Sequence, residues 1–221
     1  ESDALAVYAT YTGLVYLTPV LGGMFADRYI GARAAVLVGA VVMALGHLAM
    51  SFEPLLFPAL GLLIVGNGFF KPNISTIVGG LYEPGDPRRD GGFTVFYMGI
   101  NLGAFFSPLV CGWLGEKVGW HYGFSAAGVG MVIGLLTFVG LQRFLGTTGW
   151  APDVKDPQPD QRFRAKDWIR VAIYSTASVI FVFGFIELWK LVGPWVESQP
   201  LWLRILIVVL FIGGGVFGPL L

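Results

Sequence analysis

Charge is scarce in this chain. Only 13% of its 221 residues are Asp, Glu, Lys or Arg, against about 25% in an ordinary soluble domain. Too few polar groups remain to coat a water-soluble globule, and mean hydropathy is +0.71. Cysteine is nearly absent: the single Cys111 excludes a disulfide framework and a cysteine metal centre. The two histidines, His47 and His121, stand far apart, which is a poor start for a metal site, and neither a metal nor a cofactor is expected. The net charge of zero comes with no basic block, so nucleic acid is not an expected partner. Strict alternation of apolar and polar residues is missing as well, which excludes a transmembrane barrel.

What the chain does have is long uncharged runs. Residues 4–26 hold 23 positions without a charge, 34–52 hold 19, 91–115 and 118–142 hold 25 each, and 205–221 hold 17. About 20 apolar residues cross a hydrocarbon core of about 30 Å. The expected fold is therefore all-α and polytopic, embedded in a lipid bilayer through about seven spans. These fall near 4–27, 34–52, 54–82, 91–115, 118–143, 168–191 and 202–221. Ten basic residues lie in the connections at 28–33, 83–90 and 143–170. Only Lys117, Lys190 and Arg204 lie on the other side. The positive-inside rule then makes the 144–167 connection cytoplasmic. The chain opens on Glu1-Ser2-Asp3 and runs straight into a span, so the expectation is a fragment whose first helix precedes Glu1.

Composition divides the chain into three. Residues 1–146 are rich in Gly, Ala, Ser, Thr, Asn and Tyr, the residues of closely packed or cavity-lining helices. Residues 147–167 carry Pro152, Pro157, Pro159 and mixed charges, an exposed linker. Residues 168–221 are rich in Ile, Val, Leu and Trp, as in two peripheral, lipid-facing helices.

Lys71 is the sharpest feature. It interrupts an otherwise uncharged stretch of 29 residues, Pro54–Tyr82, three positions past its centre, or about 5 Å from the helix midpoint. A lysine there costs at least about 2.5–3.5 kcal/mol on insertion scales. It is expected to face a water-filled cavity and to meet a carboxylate or an anionic substrate. Asp27, Glu53, Glu116 and Glu187 all lie at span ends or on a peripheral span. The negative charge is thus expected from the substrate or from a helix outside this chain. Around Lys71 runs Gly66-Asn67-Gly68-Phe69-Phe70-Lys71-Pro72-Asn73, a loosened, kinked segment of the kind found beside transport sites. Asn101, within Phe96-Tyr97-Met98-Gly99-Ile100-Asn101-Leu102-Gly103, is polar in mid-span and suits either an interhelix bond or a substrate contact. Tyr16 lies too deep for the interfacial belt, which points to a cavity wall. Asp27, Arg28 and Arg33 bring acid and base together in a glycine-rich cytoplasmic turn. They suit a topology anchor or a conformational latch whose charge pairs break as the protein rocks.

Gly22-Gly23-x-x-Ala26-Asp27-Arg28 followed by Gly31-Ala32-Arg33 resembles the cytoplasmic motif of major facilitator transporters, in the form used by proton-dependent oligopeptide transporters. Phe96-Tyr97-x-x-Ile100-Asn101-Leu102-Gly103 and Gly66-x-Gly68-x-x-Lys71-Pro72-Asn73 resemble two further motifs of that family. The resemblance runs from Ala4 to about Phe144. It implies a partial major-facilitator fold, with family helices two to six followed by the two helices that bacterial members insert between their halves. It also implies a proton-coupled symporter of di- and tripeptides, not an enzyme, working by alternating access in the bacterial inner membrane. Lys71 would then hold the peptide carboxylate and take part in proton coupling, with Asn101 and Tyr16 as substrate contacts. The partners implied are small peptides, protons and the remaining transporter helices. The first-helix Glu-x-x-Glu-Arg motif has no counterpart here, nor does the second half with its tryptophan and glutamate. Ala9 stands where some relatives carry a histidine, so a histidine-based proton step is not expected. The chain by itself would be inactive. Two other readings stay open: a related facilitator for another anionic solute, such as nitrate or a drug-like molecule, and a structural subunit that transports nothing.

Overall fold

Helices in hydrocarbon satisfy every backbone donor and acceptor internally, so apolar runs of this length fold as helices. A computed structural model describes residues 2–155, 157, 161–198, 200 and 203, and those at 2–4, 6 and 197 by backbone alone. The chain falls into two units, 1–179 and 180–221. In the first are α1 (Ser2–Phe25), a π-helical turn (Ala26–Ile30), α2 (Gly31–Ala49), α3 (Leu56–Gly80) and α4 (Arg88–Ser107). A second π-turn (Pro108–Gly112), α5 (Trp113–Lys117), α6 (Trp120–Gly140) and the start of α7 (Ala165–Glu197) complete it.

Five helical runs among the described residues are long and apolar enough to span a membrane: Val7–Ala49, Glu53–Gly80, Arg88–Lys117, Trp120–Gly140 and Ala165–Val196. The first, at 43 residues, would measure about 65 Å if straight, twice the hydrocarbon core. Gly31 divides it, since its φ of 76° and ψ of 157° end one helix and begin the next. Six of the seven expected spans thus have their helix. The seventh, 202–221, lies outside the described residues apart from residue 203.

α3 is the axis of the first unit, with α1 and α2 both packed along it. Two glycines allow this. A side chain at Gly66 would run into α2, 2.9 Å from the Gly39 carbonyl oxygen and 2.6 Å from Met43 Cγ. A side chain at Gly22 would run into the carbonyl of Gly68 on α3. Positions 66 and 68 lie about 200° apart around a helix of 3.6 residues per turn, so each glycine admits a different neighbour. Small residues permit such close approach where lipid supplies no hydrophobic drive between helices. α2 is the most enclosed element: Ala35, Val36, Leu37, Val38, Ala40 and Val42 are each at most 2% exposed. α6 covers another side of it, with Ser125 Oγ 2.8 Å from Ser51 Oγ. α4 contributes no buried residue. Its first turn meets the end of α3, where Arg89 and Phe93 approach Gly79.

Within the second unit, Lys190 bonds Glu187 at 2.6 Å, and Phe185 stacks on Trp189 at 6.0 Å between ring centroids.

The contact between α1 and α3 should tolerate no added methyl. Gly22→Ala forces the helices apart and is expected to cost about 1–3 kcal/mol, the usual penalty of overpacking. A lowered melting temperature of the complete purified protein is the measurement, and an unchanged one would refute the close approach.

Candidate functional site

Proline removes a helical hydrogen bond in both elements that carry the site. Pro19 in α1 has no N–H, so the Val15 carbonyl, four residues back, lacks its helical donor. Asn67 of α3 supplies the missing bond: its Nδ2 donates to Val15 O at 2.9 Å. Pro72 in α3 likewise deprives Gly68 O of a donor, and this is the carbonyl against which Gly22 packs. Two further polar residues finish the seam. Thr18 Oγ1 lies 3.0 Å from Leu14 O and 3.1 Å from Ile64 O, so its one proton is shared within α1 and across to α3. Asn73, 1% exposed, donates from Nδ2 to Phe69 O at 2.8 Å and, more weakly, to Gly22 O at 3.4 Å.

Tyr16 and Lys71 sit inside these two broken turns and meet. The Lys71 ammonium lies 4.6 Å from the centroid of the Tyr16 ring, a cation–π contact. Both side chains are exposed in this chain, and among the described residues Lys71 forms no ion pair. Asn101 is apart from them: it lies exposed on α4, and its side chain forms no hydrogen bond among the described residues. No group of three His, Cys, Asp or Glu side chains among the described residues is placed to hold a metal ion.

The three residues of the glycine-rich turn separate in a way the sequence does not show. Asp27 and Arg28 are exposed, and Asp27 has no ion pair among the described residues. Arg33, expected to pair with acid, is 1% exposed and pairs with backbone instead. Its Nε donates to Thr148 O and its Nη2 to Gly146 O, both at 2.6 Å, while its own N–H reaches Gly149 O at 2.9 Å. Its guanidinium lies 4.6 Å from the centroid of the Trp150 ring. Thr148 Oγ1 in turn donates to Gly80 O at 2.7 Å, tying the end of α3 to the same knot. Residues 146–150 were legible only as the start of a linker. The signal that could have found them is Gly146 and Gly149, whose positive φ of 56° and 78° fold the segment onto Arg33, the Gly146 carbonyl meeting its guanidinium and the Gly149 carbonyl its backbone N–H. Further along, Arg170 holds the Asp153 carboxyl at about 2 through its hydrogen bond, with Lys166 adding attraction. That acid stays ionised at any physiological pH and is no candidate for proton coupling.

A bundle of apolar helices joined by small-residue contacts, with a lysine and a tyrosine meeting where two helices are broken, defines a polytopic membrane protein of the major-facilitator kind. The sequence model PTR2, described as the POT family, matches residues 33–168. The chain belongs to that family, which is one of transporters rather than enzymes. It is 46% identical over 145 residues to the peptide transporter YePEPT of Yersinia enterocolitica subsp. palearctica serotype O:3, strain YE-P4, covering 63% of this chain and 28% of that protein. It is 43% identical over 141 residues to a di-/tripeptide transporter of Lactococcus lactis subsp. lactis, strain IL1403, covering 62% of this chain and 28% of that one. A solved POT family transporter in complex with 5-aminolevulinic acid superposes with a TM-score of 0.69 at 30% identity, over 94% of this chain and 41% of the other. The chain therefore spans between a quarter and a third of the length of the curated relatives it matches.

The bond from Asn67 to the freed Val15 carbonyl should couple energetically to Pro19. Asn67→Ala is expected to cost about 0.6–1.7 kcal/mol, the range for bonds between membrane helices. In a Pro19→Ala background, where Val15 O regains its helical donor, the same change should cost markedly less. A double-mutant cycle on melting curves of the complete protein measures the difference, and strictly additive losses would refute the pairing.

Proposed function

We propose that this chain is part of a proton-coupled symporter that imports di- and tripeptides by alternating access. In this reading the Lys71 ammonium takes the peptide carboxylate and shares in proton coupling, Tyr16 forms the adjoining wall, and Asn101 contacts the peptide from α4. The observation that carries it is the pairing of Lys71 with the Tyr16 ring and with no carboxylate among the described residues. An ammonium held against an aromatic face keeps its hydrogen-bond donors for an incoming anion. The names of the relatives support the substrate class. Arg33 and its carbonyl partners, with Asp27 and Arg28 beside them, form a conformational latch at the cytoplasmic turn. The protein lies in the bacterial inner membrane with residues 147–167 in the cytoplasm, a placement supported by the ten-to-three distribution of basic residues.

Replacing Lys71 by Ala in the complete transporter should abolish gradient-driven uptake of a labelled dipeptide while the protein stays folded in the membrane, because the change removes an intramembrane charge. Uptake at the wild-type rate in reconstituted vesicles would overturn the assignment. Tight binding of nitrate in place of dipeptide would favour the related anion facilitator.

The topology has its own test. Lys155 is exposed in the linker, whereas Gly149 has a positive φ and crowds Arg33, which makes it unsuitable for labelling. A Lys155→Cys variant in a Cys111→Ser background should resist membrane-impermeant thiol reagents in intact cells and react after lysis. Labelling from outside would invert the orientation.

A further inference from the structure

A cavity of about 330 Å³ opens at the end of α6, bounded by Val139, Gly140, Gln142, Arg143, Arg162, Phe163 and Trp168. That volume is at the low end of the roughly 300–1,000 Å³ of small-ligand sites. It lies away from Lys71 and Tyr16, and nothing in the transport reading uses it. We propose that it binds the phosphate of an anionic phospholipid headgroup.

The argument starts from unspent charge. Each described carboxylate of the linker and the start of α7 already has a partner. Asp153 takes Arg170 and Lys166, and Asp167, 4% exposed, takes the Arg164 N–H at 2.9 Å and lies 4.0 Å from Arg170. Arg143 and Arg162 border the cavity and form no ion pair among the described residues. Both residues bring a positive charge to one cavity, the Arg143 guanidinium resting 4.8 Å from the centroid of the Phe144 ring, and an anion lodged there gains attraction from both. Their planar, forked donors match the oxygens of a phosphate.

A second observation concerns Gln142. It is 5% exposed and borders the cavity, and its buried Nε2 has no hydrogen-bond partner. Buried amides are normally satisfied, and a ligand oxygen is a partner the protein itself does not supply. The remaining walls choose between a lipid and a free anion. Val139, Phe163 and Trp168 are apolar or aromatic, and Trp168 is 43% exposed. A headgroup continues into glycerol and acyl chain, which these walls suit, while inorganic phosphate has nothing to place against them. Basic pockets at helix ends beside the membrane surface are where such headgroups lodge. The proposal rests on the 144–167 connection lying at a membrane surface, and on no step of peptide transport.

The test is native mass spectrometry of the complete purified transporter titrated with phosphatidylglycerol, with phosphatidylcholine, or with inorganic phosphate. Wild type should retain phosphatidylglycerol in preference to phosphatidylcholine. An Arg143→Gln/Arg162→Gln variant should bind it at least tenfold more weakly. A Lys155→Gln/Arg164→Gln variant, with the same loss of charge in the same segment, should stay within twofold of wild type. Should the first double variant fold poorly, Arg162→Gln alone is read, with a loss of at least threefold expected. Equal retention of both lipids, or equal weakening in both double variants, overturns the site. Saturation by inorganic phosphate at the same concentration as phosphatidylglycerol overturns the lipid assignment in favour of a free anion. None of these readouts involves uptake, so failure of the peptide reading would leave them intact.

Discussion

A helix in hydrocarbon can omit a backbone hydrogen bond only if something else fills the gap, and most of the first unit is arranged around two such omissions. Pro19 and Pro72 each leave one carbonyl without its helical donor, on neighbouring helices, within the same seam. One carbonyl is answered by an amide from the opposite helix, Asn67 to Val15, and the other is sealed against the Cα of Gly22. The arrangement is reciprocal, with each helix completing the break in the other. Because an unsatisfied carbonyl in lipid costs several kcal/mol, the two broken turns cannot separate without exposing what they cover. The seam is therefore obligatory, and it fixes where Tyr16 and Lys71 stand.

The placement of Arg33 follows a related logic at the membrane edge. A guanidinium has five donors and no acceptor, so burying it requires several oxygens in a fork. Carbonyls of Gly146 and Thr148 provide them, presented by a segment whose glycines adopt backbone angles closed to other residues. The arginine thus joins α2 to the linker, and Thr148 joins the linker to α3. A side chain that looks in sequence like half of a salt bridge acts here as the hub of a backbone knot. Any motion that parts these elements must also re-solvate or re-pair a buried cation, and the proposed latch role rests on that cost.

Legibility in the sequence tracked the kind of physics involved. Spans of uncharged residues announce themselves, because hydrocarbon imposes length and composition on each helix separately, and six of seven have their helix in the described residues. Lys71 was legible for the same reason: its cost depends on depth alone. Its neighbour Tyr16 stood out in the sequence by its depth, although the contact between the two did not. Asn67 was visible only as part of a loosened segment. Its partner is a carbonyl on another helix, exposed by a proline 48 positions away, and no local pattern encodes that. Asn101 had the same composition signal as Asn67, yet one sits in a seam and the other on an open helix face. Arg33 read as one charge among three, since burial is decided by which backbone folds over it.

The energetics of Lys71 explain why its surroundings leave it incomplete. Placing the ammonium near mid-span costs at least about 2.5–3.5 kcal/mol. The Tyr16 ring returns about 0.5–1 kcal/mol at an exposed site, and about 2 kcal/mol when desolvated. The aromatic contact alone therefore falls short at either limit of exposure. A carboxylate at the same distance would close the gap, but a permanent one would also occupy the ammonium and exclude a substrate anion. An aromatic face has neither fault: it steadies the cation, cannot take its proton, and leaves its donors turned to whatever enters. In the transport reading the residual deficit is met by water when the site is empty and by the peptide carboxylate when it is filled. A lysine held in that unfinished state is more strongly biased toward a negatively charged ligand than one already paired.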